Sequence, residues 1–182
     1  WFKNWASNSS PAWFLGIHFY DLVYWLIDSK PIKVFSHGVK KKLLSMGIDT
    51  YDFISSQIIY ENNASFTFNV SWILPDSFPS IVNQQIKIVG TEGICEIDSQ
   101  DRGMFSSYSK DKSCQIINPF SKYVVDDMTA SAKVSGYTCE SIIYFTKLLK
   151  LMKEGRKPEE LKGKYPDGEQ AIISTILCEA IH

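Results

Sequence analysis

These 182 residues contain neither a glycine-rich phosphate cradle nor a metal-ligand pattern of cysteines. No G-x-G-x-x-G and no Walker A run follows a strand-like segment, so the chain lacks the usual means of gripping a dinucleotide or a nucleoside triphosphate. Its four cysteines, at 95, 114, 139 and 178, show no C-x-x-C and no Cys/His spacing, which argues against a zinc site or a redox dithiol. Reduced thiols are expected, with a Cys95–Cys114 bridge across neighbouring strands as the one pairing worth testing. Apolar runs are broken by His18, Asp21 or Ser/Asn well before the ~20 residues that a membrane helix needs, and no signal peptide opens the chain. Excess charge is missing too: 19 basic and 20 acidic residues leave a net charge of −1. That gives no electrostatic footprint for nucleic acid, and Lys40-Lys41-Lys42 is read as a solvated loop. A cytoplasmic protein with no membrane, nucleic-acid or metal partner is expected.

Apolar residues make up 45% of the chain and aromatic ones 14%, enough to bury one core, so residues 1–182 are read as a single domain. Ser9-Ser10-Pro11 starts a helix, with Ser10 as N-cap and Pro11 at the first helical position, running to about Asp28. Strands are expected over 32–39, 51–60, 64–74, 85–89, 94–98, 104–109 and 114–117. Asn62-Asn63 and Thr91-Glu92 supply two of the turns. In 64–74 the residues Phe66, Phe68, Val70, Trp72 and Leu74 share an apolar face, while Ser65, Thr67, Asn69 and Ser71 share a small polar one. Trp72 is read as core. Residues 122–127 and 129–135 read as loop, followed by helices near 137–154 and 168–181, the second capped by Asp167. Strands first and helices later predict an α+β fold: a mostly antiparallel open sheet with helices packed on one face and the other face free for oligomerisation.

The first helix carries the chemistry. His18 stands in an otherwise apolar segment, with Phe14 and Asp21 on its face of the helix. Imidazole is the side chain best matched to proton transfer near neutral pH, so His18 is the candidate catalytic residue if it faces a cleft. Asp21 could fix its tautomer or serve a structural bond. His37 has no partner that the sequence identifies. Tyr20 and Tyr24 could reach a ligand hydroxyl from the same helix, and Tyr123 and Tyr137 lie where a substrate loop is expected.

Gly16-Ile17-His18-Phe19-Tyr20-Asp21-Leu22 with Trp25-Leu26, then Gly90-Thr91-Glu92-Gly93, Gly136-Tyr137, Glu154 to Pro158 and Asp167-Gly168, come in the order found in one family. The chain resembles the C-terminal domain of the glucose-fructose oxidoreductase, inositol dehydrogenase and rhizopine-catabolism family. The resemblance implies a partner Rossmann domain, N-terminal to this one, that binds NAD or NADP and supplies a lysine. It implies a sugar, inositol or related polyol as substrate, and a homodimer or homotetramer through the open sheet face. His18 then shares the proton of the substrate hydroxyl, with Trp13, Phe14, Tyr20, Asp21 and Tyr123 as substrate-binding residues. Phe14 departs from the family, which commonly has Asp there. Trp1-Phe2-Lys3-Asn4-Trp5 without a methionine reads as the start of a fragment. A glycoside hydrolase using the same cofactor transiently, and a non-catalytic binding domain, are the alternative readings.

Overall fold

A computed structural model describes residues 2–78, 83–98, 103–108, 114–117, 122–125 and 132–182; for 103–108, 114–117, 122–125, 132–135, Tyr137 and Thr138 it describes the backbone alone. Lys3–Ala6 make one helical turn (α1), and Ala12–Gly16 a π-helical turn that runs straight into the α-helix Ile17–Ile27 (α2). Then come Pro31–Val39 (β1), the short helix Lys42–Ser45 (α3), Phe53–Tyr60 (β2) and Ser65–Ser71 (β3). Gln85–Gly90 (β4), Gly93–Asp98 (β5), Gly103–Tyr108 (β6) and Cys114–Ile117 (β7) follow. Lys122–Val125 (β8), Ala132–Ser135 (β9), Tyr137–Lys153 (α4), a 3-10 turn at Pro158–Leu161 and Gly168–Ile181 (α5) complete the order. The fold is α+β, with open antiparallel sheets. The backbone gathers into two compact units, Trp1–Ser77 with Gly163–His182, and Phe78–Lys162.

In the first unit β1, β2 and β3 pair antiparallel in that order. The pleat assigns faces: Val34, Ile58 and Phe66 share one row, Ser36, Ser56 and Phe68 the next, and Gly38, Ile54 and Val70 a third. Ile54, Ser56, Ile58, Phe68 and Val70 are buried, because α2 and α5 cover this face. Tyr20 meets Phe68 edge-on at 4.9 Å between ring centroids. From α5, Ser174 Oγ donates to Asp21 Oδ1 at 2.8 Å and the Cys178 thiol points to the Ala12 carbonyl at 3.6 Å. Ser36 Oγ of β1 donates to the Ile181 carbonyl at 2.8 Å. The opposite rows, Phe35–Gln57–Thr67 and His37–Ser55–Asn69, form the uncovered face.

Two glycines are fixed by close approach. A Cβ on Gly16 would collide with the Tyr20 phenol, and one on Gly38 would sit 2.5 Å from the Tyr51 ring. Asp52 explains why β2 starts at Phe53 and not at 51. Its buried carboxylate is turned aside to accept the backbone N–H groups of Lys41, Lys42 and Leu43 at 2.7–2.8 Å. That clamp opens α3, so Lys42, expected in a loop, begins a helical turn. Ser10, expected as a cap, does not act as one. It is buried, its hydroxyl has no hydrogen-bond partner among the described residues, and the helix enters through the π turn. β3 ends at Ser71, short of Leu74. The Ser71 hydroxyl takes the Ile73 N–H, and Trp72 and Ile73 turn onto a small core of Ala6, Leu43 and Ile48.

The second unit holds a meander in the order β4-β5-β6-β7 and the two-stranded ribbon β8-β9. Gly90 pairs with Gly93 across the expected two-residue turn. The ribbon corrects the sequence reading, which gave loop over 122–127 and 129–135. Cys95 and Cys114 are also not on neighbouring strands, because β6 runs between β5 and β7. Two strand spacings of ~4.8 Å exceed the Cα separation that a disulfide spans. Gly136 at φ 123° opens α4 and Gly155 at φ 103° closes it, conformations that side-chain-bearing residues rarely adopt. Asp167 caps α5 as expected, accepting from the Gln170 N–H at 3.0 Å. No helix of the described residues is long and apolar enough to cross a membrane.

Candidate functional site

The π turn decides what the first helix presents. The Ile17 N–H reaches back to the Ala12 carbonyl, one residue further than in an α-helix, and such turns favour functional positions. Phe14 lies in this turn and is 48% exposed. His18, one turn on, is exposed, and among the described residues its ring nitrogens have no hydrogen-bond partner. The two side chains therefore reach solvent from adjoining turns. Trp13, just before Phe14, is half-buried.

Phe14 is fixed by other rings. Its centroid lies 4.9 Å from Trp5 and 6.2 Å from Trp72, and Trp5 and Trp72 meet edge-on at 5.5 Å. Phe2 packs edge-on against both, at 5.4 and 5.2 Å. Trp72, read as core, is half-buried in this cluster and not enclosed. Trp5 was not singled out in the sequence; two tryptophans within five residues were the available signal.

Tyr20 and Asp21 turn the other way. Tyr20 is fully buried, and burial holds its phenol well above the ordinary tyrosine range, so it stays protonated at neutral pH. Asp21 is half-buried and engaged by Ser174 of α5. The structure thus separates the expected group: His18, Phe14 and Trp13 reach solvent, whereas Tyr20 and Asp21 anchor α2 to its neighbours. Tyr24 is half-buried on the same helix. Tyr123 sits on β8 rather than in a loop, and it and Tyr137 have side chains outside the described residues. Burial likewise pushes the Cys178 thiol up to about 11, which leaves it unreactive.

A shallow cavity of about 480 Å³ lies elsewhere in the first unit, lined by Val39, Lys41, Lys42, Ser45, Asp52, Phe53 and Ile73. None of the expected site residues lines it. Among the described residues no group of His, Cys, Asp and Glu is placed to hold a metal ion.

Comparison with known proteins supplies the context. Residues 1–96 match the family model described as the GFO/IDH/MocA C-terminal domain. The fold is similar to that of the aldose-aldose oxidoreductase from Caulobacter crescentus complexed with glycerol, with a TM-score of 0.66 and 14% identity over 97% of this chain and 47% of that one. It is also similar to UDP-N-acetylglucosamine 3-dehydrogenase GnnA from Acidithiobacillus ferrooxidans, with a TM-score of 0.61 and 13% identity over 93% of this chain and 45% of that one. The chain spans less than half the length of these structures. No curated protein matches.

Proposed function

We propose, for a chain that belongs to the GFO/IDH/MocA C-terminal domain family, that it is the substrate-binding and assembly half of a cytoplasmic NAD(P)-dependent oxidoreductase. The reaction moves hydride between a nicotinamide and a sugar, inositol or sugar derivative. The observation that carries this reading is His18, exposed beside Phe14 on the helix whose motif runs Gly16-Ile17-His18 to Asp21-Leu22.

The chain's own residues do not fit the cofactor. All strand pairs described are antiparallel, whereas a dinucleotide cradle sits in a parallel βαβ crossover, and the glycine-rich fingerprint is absent. The proposal therefore assigns NAD or NADP to an N-terminal Rossmann domain outside this chain, consistent with the chain's spanning less than half of the solved structures it resembles. This chain's part is to hold the alcohol and take its proton. A secondary alcohol loses its hydroxyl proton as the carbonyl forms, and the imidazole of His18 is assigned to accept it. Trp13, Phe14 and Tyr123 are assigned to contact the substrate. Tyr20 and Asp21 act from behind, holding the turn that aims His18. Assembly as a homodimer or homotetramer is assigned to the uncovered face of the β1-β2-β3 sheet.

The test is His18→Gln in the full-length protein, assayed by nicotinamide absorbance over a panel of cyclic polyols and sugar nucleotides. Loss of a positioned base is expected to lower kcat by about 10²–10⁴-fold with unfolding unchanged. Unchanged kcat would refute the role of His18. Release of an aglycone without net cofactor reduction would point to glycoside hydrolysis, and absence of hydride transfer from every substrate to a binding role.

A further inference from the structure

The Ala12 carbonyl accepts two hydrogen bonds. One is the Ile17 N–H that closes the π turn; the other is the Cys178 thiol of α5, 3.6 Å away, so both lone pairs are engaged. Ala12 and Cys178 are fully buried, and burial holds the thiol at about 11, so it keeps its proton and remains a donor at neutral pH. One turn earlier on α5, the buried Ser174 donates to Asp21 Oδ1 at 2.8 Å. Ser174 and Cys178 are four residues apart and share a face of α5. Their partners bracket the π turn: Ala12 opens it, and Asp21 lies beyond its end.

A π turn holds one residue more than the α register, and it is rare outside functional positions. Relaxing it into the α register would rotate the residues after it by about 100° and move them by about 1.5 Å relative to Ala12. Ser174 and Cys178 belong to one continuous helix, so their two bonds cannot both survive that change. His18 lies between the turn and Asp21, and its side chain would swing with the segment. We propose that Ser174 and Cys178 are positioning residues of this site, whose two bonds to the first helix hold the π turn in register and so fix the direction in which His18 projects. The proposal deepens the oxidoreductase reading and rests on it for the effect on turnover, whereas the register can be read without substrate or cofactor.

The test compares Ser174→Ala/Cys178→Ala with wild type in the full-length protein, by NMR at the Ile17 amide and the imidazoles and by steady-state kinetics. The double variant is expected to shift the Ile17 and His18 signals and to leave those of His37, on β1, in place. Its kcat is expected to fall about 10–100-fold with KM changed less than about twofold, the pattern of a misplaced group and not of lost binding. Ser174→Thr keeps the hydroxyl and is expected to retain the wild-type signals and kcat, which separates register from a folding defect. The infrared S–H stretch of Cys178, identified by its loss in Cys178→Ala, is expected at the lowered frequency of a hydrogen-bonded thiol. Unchanged Ile17 and His18 signals in the double variant, an S–H band at the free-thiol frequency, or unchanged kcat beside lowered stability would overturn the proposal. Wild-type protein that never transfers hydride would remove the oxidoreductase reading, and the NMR and infrared signals would then decide the register by themselves.

Discussion

Asp52 shows how one carboxylate can hold a junction together. Burial alone would raise its pKa, but the amide N–H groups of Leu43, Lys42 and Lys41 and the nearby Lys42 charge outweigh burial and leave it below the usual carboxylate range. A carboxyl with a lowered folded pKa adds stability above its unfolded value, near 4, and loses it as pH falls through the folded value. Asp52→Asn is therefore expected to cost on the order of 2 kcal/mol at pH 7. The gap between variant and wild type should close as pH drops below about 4. Denaturant unfolding at pH 7, 5 and 3 checks this; a gap that stays constant with pH would mean that charge is not what the three amides need. Nothing in the sequence around Asp52 announced this role, because its partners lie nine to eleven residues earlier and are backbone atoms without a residue signature.

At the level of elements, the first helix depends on a glycine that the sequence displayed without explaining. Gly16 reads as part of a motif, but its physical reason is Tyr20, whose buried phenol occupies the space where a Cβ would stand. Gly16→Ala is expected to overpack this contact and cost about 1–3 kcal/mol, with partial recovery in the Gly16→Ala/Tyr20→Phe double variant. Equal stability of Gly16→Ala and wild type in a urea titration would place the Tyr20 ring elsewhere. Strand periodicity located β1, β2, β4 and β5 to within about two residues, and Asp167 and Gly136 marked helix starts correctly. The failures have separate causes. The π turn is invisible to a 3.6-residue period, so Ser10 looked like a cap. The β8-β9 ribbon, four residues a strand like β7, lies in stretches that read as loop. At the site His18 and Phe14 were legible as types on a helix, whereas Trp5 and Trp72 join Phe14 only through tertiary packing.

For the molecule as a whole, the exposed face of the first sheet is where the proposed assembly can be tested. Ser65, Thr67 and Asn69 are exposed on β3, and Phe35 on β1 is 53% exposed in the same row as Gln57 and Thr67. Lys33 holds its ammonium 5.6 Å from the Phe35 ring centroid on the same face, so the face mixes one aromatic ring with polar and charged groups. If the proposed assembly uses this face, Thr67→Arg should shift the full-length protein toward monomer by at least about tenfold in Kd, since a twofold contact brings the new charges together. Sedimentation velocity over a concentration series reads the shift; an unaltered oligomer would move the interface elsewhere.

The first unit is also discontinuous in sequence, and this bears on its birth at the ribosome. Asp21 waits for Ser174, and the Ala12 carbonyl for Cys178, so α2 and the sheet emerge long before the helix that covers them. At ~5–20 residues per second, making the roughly 85 residues of the intervening unit takes about 4–17 s. Throughout that interval Ile54, Ile58 and Val70 lack their final cover, an opening for chaperones and a window for aggregation.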